Sequence, residues 1–144
     1  MLERLRAVGP AEAISDSGLL TGYDRDPPLD LVHLARQCED DHELEGELLG
    51  LFRLQSRALA AQLSDTLPAS LESKAKIAHT LCGSALAVGA WRVAFAARRL
   101  EECASTAHGR ASPNAKERAA LTRAIAALDA TVAEAVAEIE RIRG

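Results

Sequence analysis

The 144-residue chain has few aromatic residues, few cysteines and no long apolar run. Aromatic residues make up 3% of it and hydrophobic residues 48%, so a core must be built from leucine, alanine, valine and isoleucine. Cys38, Cys82 and Cys103 form an odd count without close spacing, which argues against a disulfide framework and favours a reducing cytoplasm. No segment approaches the ~20 apolar residues of a membrane helix, and the Met1 end lacks a signal-peptide stretch. We therefore expect a cytoplasmic protein without a membrane partner.

Charge and motif content exclude two further classes. The net charge is −4 with both signs interspersed, which argues against a nucleic-acid-binding groove. The sequence has no paired carboxylates in a cleft pattern, no nucleophile–base pair and no glycine loop for phosphates. An enzyme with its own active site is therefore not expected.

Leucine and alanine dominate the chain from residue 29 onward, and β-branched residues are sparse. Both are strong helix formers, so the fold class is predicted to be all-α. Apolar residues recur at spacings of three, four and seven, and breaks fall at Thr66-Leu67-Pro68, Gly89 and Gly109–Pro113. These features predict an antiparallel four-helix bundle with a short N-terminal helix packed at one end. The predicted helices span residues 29–37, about 42–65, 70–88, 90–108 and 114–142.

The first 28 residues differ in composition from the rest. Residues 2–8 have the length of two helical turns, but Gly9-Pro10 follows them, and residues 15–28 mix Ser, Gly, Asp and Pro. We expect residues 1–28 to be an N-terminal extension, flexible or loosely docked, and residues 29–144 to form the domain.

Local signals predict where the helices start and which faces they bury. Asp30 or Pro27-Pro28 begins the first helix. Asp40-Asp41 offers an N-cap for the second, with Glu43 three residues after Asp40 as in a capping box. Ser112 as N-cap and Pro113 at the first helical position suggest the start of the last helix. The second helix is expected to bury Leu44, Leu48, Leu51, Phe52, Leu59 and Leu63. The last is expected to bury Leu121, Ile125, Leu128, Val132, Val136 and Ile139.

The third helix carries a histidine on its predicted outer face. At ~100° per residue, the apolar residues fall within an arc of roughly 120°, and His79 lies roughly 145° from its centre. The arc consists of Leu71, Ile77, Ala78, Leu81, Ala85 and Val88. Lys76 and Gly83 share the exposed side with His79, one turn before it and one turn after it, and Cys82 lies at the shoulder of the arc.

Gly83 is unusual on an exposed helix face. Glycine there costs about 1 kcal/mol relative to alanine, although alanine is used freely around it. A missing side chain one turn from His79 leaves the imidazole open to an incoming surface. His33, His42 and His108 have no such pattern and are expected to be ordinary surface or hydrogen-bonded core residues.

The region around His79 resembles the signature of histidine phosphotransfer (HPt) domains. That pattern has His, Leu two residues later, Lys at three, Gly at four and a small residue at five, then a Gly-Ala pair and a Leu-Glu pair in the next helix. The matching residues here are His79, Leu81, Cys82, Gly83, Ser84, Gly89-Ala90 and Leu100-Glu101. The resemblance covers about residues 29–142.

The resemblance implies a phosphoryl carrier in two-component signalling. HPt domains relay a phosphoryl group between receiver-domain aspartates, so His79 is implied to be the acceptor. An ordinary imidazole has a pKa of about 6.5 and is a good nucleophile at neutral pH. Glu101 matches the family position whose carboxylate reaches the other ring nitrogen. The implied partner is a receiver domain of a hybrid kinase or response regulator, which supplies Mg²⁺; the chain itself is expected to need no cofactor and to be monomeric.

Cys82 departs from the family pattern, which has lysine there. A neutral thiol cannot place positive charge beside a bound phosphate, and Lys76, Arg98 or Arg99 are candidates to replace that charge. One exposed charge contact contributes only ~0.2–1 kcal/mol, so the change is expected to tune phosphotransfer rather than abolish it.

Two other interpretations stay open from the sequence alone. The chain could be a docking module that binds a receiver or kinase without accepting phosphate, with the missing lysine as its support. Alternatively, His79 and Cys82 could bind zinc together with Cys103 or Cys38, although structural zinc sites usually have four ligands. Trp91 and Phe95 are expected to pack in the core, with apolar contact to a partner as the alternative.

Overall fold

The computed structural model describes residues 26–64, 70–108 and 113–143. Within these ranges the chain is all-helical, which confirms the predicted fold class. The five helices are α1 (Leu31–Gln37), α2 (His42–Ser64), α3 (Leu71–Val88), α4 (Trp91–His108) and α5 (Ala115–Arg143). Most of the predicted extension, residues 1–25, lies outside the described residues, as do the breaks predicted at 66–68 and 109–112.

Capping side chains fix where three helices begin. Asp30 accepts a hydrogen bond from the backbone N–H of His33 at the start of α1, and Ser70 caps α3 in the same way. At α5, Asn114 Oδ1 accepts a hydrogen bond of 2.8 Å from the N–H of Glu117, and Glu117 Oε1 accepts one of 2.9 Å from the N–H of Asn114. This reciprocal pair is a capping box. The start predicted at Ser112 and Pro113 is therefore wrong: the first turn is closed by Asn114.

The capping box predicted for α2 is also wrong. Asp40 has a left-handed backbone, with φ +62°, whereas an N-cap residue has an extended one. The N-cap is Asp41, the other residue of the predicted Asp40-Asp41 pair, and its Oδ1 accepts a hydrogen bond of 3.1 Å from the N–H of Leu44. The helix therefore begins at His42, directly after the predicted Asp40-Asp41 pair.

The buried face of α2 is rotated from the predicted leucine stripe. Leu51 is 63% exposed and Leu44 is also exposed, so both predictions are wrong, whereas Phe52 and Leu63 are buried as predicted. The buried residues of α2 are Leu49, Phe52, Ser56, Ala60 and Leu63. Small side chains at Ser56 and Ala60 allow close approach of neighbouring helices.

The longer helices α2, α3, α4 and α5 all contribute buried residues to one core. Helix α3 packs against α4, α4 against α5, α5 against α2, and α2 against α3. Leu81, Leu100, Leu128 and Ile139 are among the fully buried side chains, one or more from each of α3, α4 and α5. Burying each contributes roughly 1.5–3 kcal/mol. The predicted stripe of α5 is buried except for Ile125, which is half-buried.

The junction between α3 and α4 is held by α1. Gly89 ends α3 with φ +80°, and its carbonyl accepts a hydrogen bond of 2.9 Å from the N–H of Asp30. The Asp30 carboxylate in turn accepts from Trp91 Nε1 at 3.0 Å, and His33 Nε2 donates to the carbonyl of Leu86 at 3.0 Å. These contacts fix the ends of α3 and α4, and so the register in which the two helices meet.

Candidate functional site

His79 lies on the outer wall of the bundle, midway along α3. Its side chain is 77% exposed, while the neighbouring Ala78 and Leu81 are fully buried. The helical period that turns these neighbours into the core turns the imidazole to solvent. The ring is therefore displayed rather than packed.

Glu101 of α4 holds one edge of the imidazole. Its Oε2 lies 3.0 Å from His79 Nδ1, and its side chain is only 33% exposed. A carboxylate accepts hydrogen bonds, so a neutral imidazole in this contact carries its proton on Nδ1. The lone pair then lies on Nε2, and no side chain in the described part of the chain hydrogen-bonds that atom.

Gly83 leaves the side of His79 toward the α3 C-terminus open. A Cβ built on Gly83 would meet nothing within 4 Å. Thr80 and Ala87, the other short residues of this face, are also exposed. A flat surface can therefore approach the imidazole from this side without displacing any part of α3.

A cleft of about 610 Å³ lies on the other side of the imidazole, between α3 and α4. Lys76 borders it, and its Nζ lies 3.5 Å from Glu72 Oε1 in an exposed i,i+4 pair. Such a pair is weak, so the ammonium can turn toward an anion at His79. The cleft is lined by Leu71, Glu72, Ala75, Lys76, His79, Thr80, Glu101 and Ser105.

Cys82 is half-buried between the core and this face. Burial raises the pKa of its thiol; the charge of Arg98 lowers that pKa and the charge of Glu101 raises it. The thiol is thus kept neutral at pH 7. Arg98 lies near Cys82, whereas Arg99 borders a different cavity between α4 and α5, so Arg99 is not positioned to replace the lysine expected at 82.

Two features of this face were not predicted from the sequence. Ser84 donates a hydrogen bond of 2.6 Å to Gln55 Oε1, which ties α2 to α3 beside Gly83. Leu51 and Leu54 on the same stretch of α2 are 63% and 60% exposed. Leu51 belongs to the stripe that was predicted to be buried, whereas Leu54 lies outside that stripe; the packing of α2 exposes both.

Trp91 and Phe95 belong to the core, as the packing interpretation predicted. Trp91 is 3% exposed and lies edge-on to His33, with ring centroids 4.7 Å apart. The alternative expectation, that they offer apolar contact to a partner, is wrong for Trp91 because its indole is sealed by α1.

The zinc interpretation requires a cluster of ligands. Residues 26–64, 70–108 and 113–143 contain no group of three or more His, Cys, Asp or Glu side chains able to hold a metal ion. Cys38 is buried and Cys103 is half-buried, and neither is in a disulfide.

None of the helices in the described ranges is long and apolar enough to cross a lipid bilayer.

Comparison with known proteins identifies the family. The model of the Hpt domain family matches residues 47–131, which is more than half of the chain and includes all of α3 and α4. Searches of curated proteins and of solved structures gave no match. The family match rests on the same stretch that carries His79, Gly83 and Glu101, and the chain belongs to the Hpt domain family.

Proposed function

We propose that this protein carries phosphoryl groups in a two-component phosphorelay, with His79 as the acceptor. Membership of the Hpt family implies histidine phosphotransfer. The observation that supports His79 most directly is its geometry: an exposed imidazole whose Nδ1 lies 3.0 Å from Glu101, leaving Nε2 toward solvent.

The proposed transfer needs little from the chain itself. The Nε2 lone pair attacks the phosphorus of a receiver-domain aspartyl phosphate; the N–P bond forms as the P–O bond to the aspartate breaks. The bonding electrons leave with the aspartate as a carboxylate. The Nδ1 proton stays between the ring and Glu101, whose negative charge stabilises the positive charge that develops on the imidazole. Transfer to a second receiver aspartate is the reverse step.

The remaining chemistry is assigned to the partner. In this family the receiver domain supplies Mg²⁺ and the acidic cluster, so we propose that the carrier binds no cofactor of its own. It acts as an intermediate rather than an enzyme. Lys76, and Arg98 through its proximity to Cys82, are the cations that we expect near the bound phosphoryl group.

The finer architecture is part of the proposal. Arg92 of α4 pairs with Glu134 of α5 at 3.4 Å, and Arg57 of α2 pairs with Glu140 of α5 at 3.2 Å. These pairs, with the short α3–α4 connection, support an antiparallel four-helix arrangement of a domain spanning residues 29–144. We also propose that the protein is a monomer and that it lies in the cytoplasm, where receiver domains operate.

Incubation with radiolabelled, phosphorylated receiver domains tests the proposal. The full chain is expected to take up label that is labile in acid and stable in alkali, and His79→Gln is expected to take up none. His42→Gln is the matched control, because His42 is exposed on α2, outside the site. Label on His79→Gln at the wild-type level would contradict the assignment.

The docking-module alternative predicts a different result in the same experiment. A chain that only docks would bind the phosphorylated receiver, but neither wild type nor His79→Gln would acquire label. Cys82 is the departure that favours this alternative. Measuring binding by calorimetry beside label transfer separates the two functions.

A further inference from the structure

A second concave surface lies between α4 and α5. It has a volume of about 570 Å³, comparable to a small-ligand pocket. We call it the α4–α5 groove. Its floor is built mainly of alanine, which leaves a depression because methyl groups do not fill the space between the two helices. Ala96, Ala120, Ala124 and Ala127 line this floor, together with Phe95 and Cys103.

The rim of the α4–α5 groove is positively charged. Arg99 and Arg123 are exposed at it, and Arg92 lies at one end, paired with Glu134 at 3.4 Å. Three guanidinium groups thus border the groove, against the single carboxylate of Glu134. An occupant with apolar side chains and several carboxylates would match both the floor and the rim.

The described chain begins beside the Arg92 end of this groove. Asp30 is bonded to Gly89 and to Trp91, and Leu29 is buried, which fixes residues 29 and 30 next to the first turn of α4. Asp26 lies close to Arg92: burial raises the pKa of Asp26, and the Arg92 charge lowers it. Asp26, the first described residue, therefore lies near the Arg92 end of the groove.

The preceding segment has the composition that the groove calls for. Residues 9–24 contain Glu12, Asp16 and Asp24 and no lysine or arginine. They also contain Leu19, Leu20 and Tyr23. From Arg92 to Cys103 the groove follows α4 for about 16 Å, a distance that roughly five extended residues span. The segment is long enough to follow the whole groove.

We propose that residues 9–24 of this chain bind in the α4–α5 groove, with Leu19, Leu20 and Tyr23 against the alanine floor and the acidic residues near Arg99 and Arg123. This interaction covers an otherwise open apolar surface. Glu101 lies on the side of α4 that faces α3, so a segment in the groove leaves His79 accessible. The inference does not depend on the proposed phosphotransfer.

The three cysteines provide the test in the full-length chain. Cys103 lines the groove, Cys82 lies near His79, and Cys38 is buried beyond α1 and reports whether the bundle stays folded. N-ethylmaleimide labelling, resolved by cysteine with mass spectrometry, measures all three rates at once. In Leu19→Ser/Leu20→Ser/Tyr23→Ser, labelling of Cys103 is expected to accelerate at least about fivefold, with Cys82 and Cys38 unchanged.

A matched control loses the same kind of side chains from a neighbouring stretch. Leu2→Ser/Leu5→Ser/Val8→Ser is expected to leave Cys103 at the wild-type rate; acceleration equal to that of the first variant would overturn the assignment to residues 9–24. Arg99→Glu/Arg123→Glu, which alters only the exposed rim, is expected to accelerate Cys103 labelling as well. This second variant tests the proposal even if the first fails to fold.

Two outcomes would overturn the proposal. The first is a Cys103 rate that is the same in wild type, in the triple serine variant and in the charge-reversal variant. The second is Cys103 protection that grows with protein concentration, together with a dimer in sedimentation velocity. That result would identify a second copy of the chain as the occupant.

Discussion

The imidazole of His79 is oriented by one side chain, and that contact is the part of the site most open to a single substitution. Glu101 Oε2 lies 3.0 Å from Nδ1, and the carboxylate is two-thirds covered. This contact selects the tautomer of the neutral ring, and in the proposed transfer its charge would stabilise the cationic ring. A neutral amide at this position would keep the shape and remove the charge.

We therefore expect Glu101→Gln to slow phosphotransfer to His79 about two- to fivefold, since a partly exposed ionic contact contributes about 0.5–1 kcal/mol. Single-turnover transfer from a phosphorylated receiver domain measures this rate. Glu102→Gln, an exposed neighbour on α4, should transfer at the wild-type rate. Equal slowing in both variants would mean that net charge, rather than the Nδ1 contact, is responsible.

The thiol of Cys82 occupies the position at which the family has a lysine. Burial raises the pKa of this thiol. The proposed phosphoryl group on His79, with about two negative charges, would therefore have a neutral group beside it. Cys82→Lys would extend an ammonium toward that group. The nearby Arg98 side chain makes contacts of its own, so the added cation would not simply duplicate it.

We expect Cys82→Lys to slow hydrolysis of the phosphohistidine or to shift the transfer equilibrium toward it. Loss of radiolabel from the isolated phosphoprotein gives the first quantity, and the final distribution of label between carrier and receiver gives the second. Cys82→Ala, which is neutral and small, is the control for loss of the thiol. If both quantities are unchanged in the lysine variant, position 82 does not act on the phosphoryl group.

Gly83 lies within α3 and Gly89 directly follows it, and the two glycines have opposite surroundings. At Gly83 an added Cβ would meet nothing within 4 Å, so the residue is not required for packing. At Gly89 an added Cβ would lie 2.8 Å from the backbone oxygen of Asp30, on a backbone with φ +80°. Gly83 therefore keeps the exposed face of α3 open, whereas Gly89 is needed for the backbone conformation that ends the helix.

The same substitution should change stability in opposite directions at these two sites. Gly83→Ala is expected to raise the free energy of unfolding by about 1 kcal/mol and to slow transfer, because the methyl group lies where the receiver approaches. Gly89→Ala is expected to lower the free energy of unfolding by about 2 kcal/mol or more, because alanine is strained on a left-handed backbone and its Cβ would clash with Asp30. Urea denaturation measures the free energy of unfolding of each variant, and single-turnover transfer measures the rate of Gly83→Ala. A Gly83→Ala variant that transfers at the wild-type rate would contradict the role of the open face.

Helix positions could be predicted because leucine and alanine repeat regularly and because Ser70, Gly89 and Asp30 lie where helices start or stop. The buried face of α2 could not. Leucines occur on two overlapping stripes of that helix, and the stripe that is buried contains Ser56 and Ala60, whose small size matters only once the neighbouring helices are in place. Local pattern does not carry that information.

The features of the site also fall into those that could be predicted from the sequence and those that could not. The exposure of His79 follows from the helical period. Its pairing with Glu101 could not be predicted from local pattern, because the two residues lie 22 positions apart on different helices; the family resemblance implied it. The hydrogen bond from Ser84 to Gln55 and the sealing of Trp91 by Asp30 join elements that no local signal connects. They depend on the way in which α1 and α2 pack on α3 and α4.

At the scale of the whole molecule, α2 adjoins the surface that α3 and α4 form around His79. Gln55 of α2 accepts the hydrogen bond of Ser84, and Leu51 lies one turn before Gln55 on the same side of α2. Leu51 and Leu54 are both at least 60% exposed. Exposed leucines beside an open glycine face would give a receiver domain an apolar contact next to the imidazole.

Leu51→Ser/Leu54→Ser is therefore expected to weaken docking of a phosphorylated receiver about tenfold, the effect of losing about 1.4 kcal/mol of apolar burial at an interface. The KM for the receiver should rise by this factor while the maximal transfer rate and the urea midpoint stay near wild type, because neither leucine contributes to the core. Ile142→Ser, an exposed apolar residue of α5, is the matched control and should leave the KM unchanged. A rise in KM for Ile142→Ser, or none for the α2 pair, would place the docking surface elsewhere on the bundle, and the distance of that surface from His79 would then have to be explained.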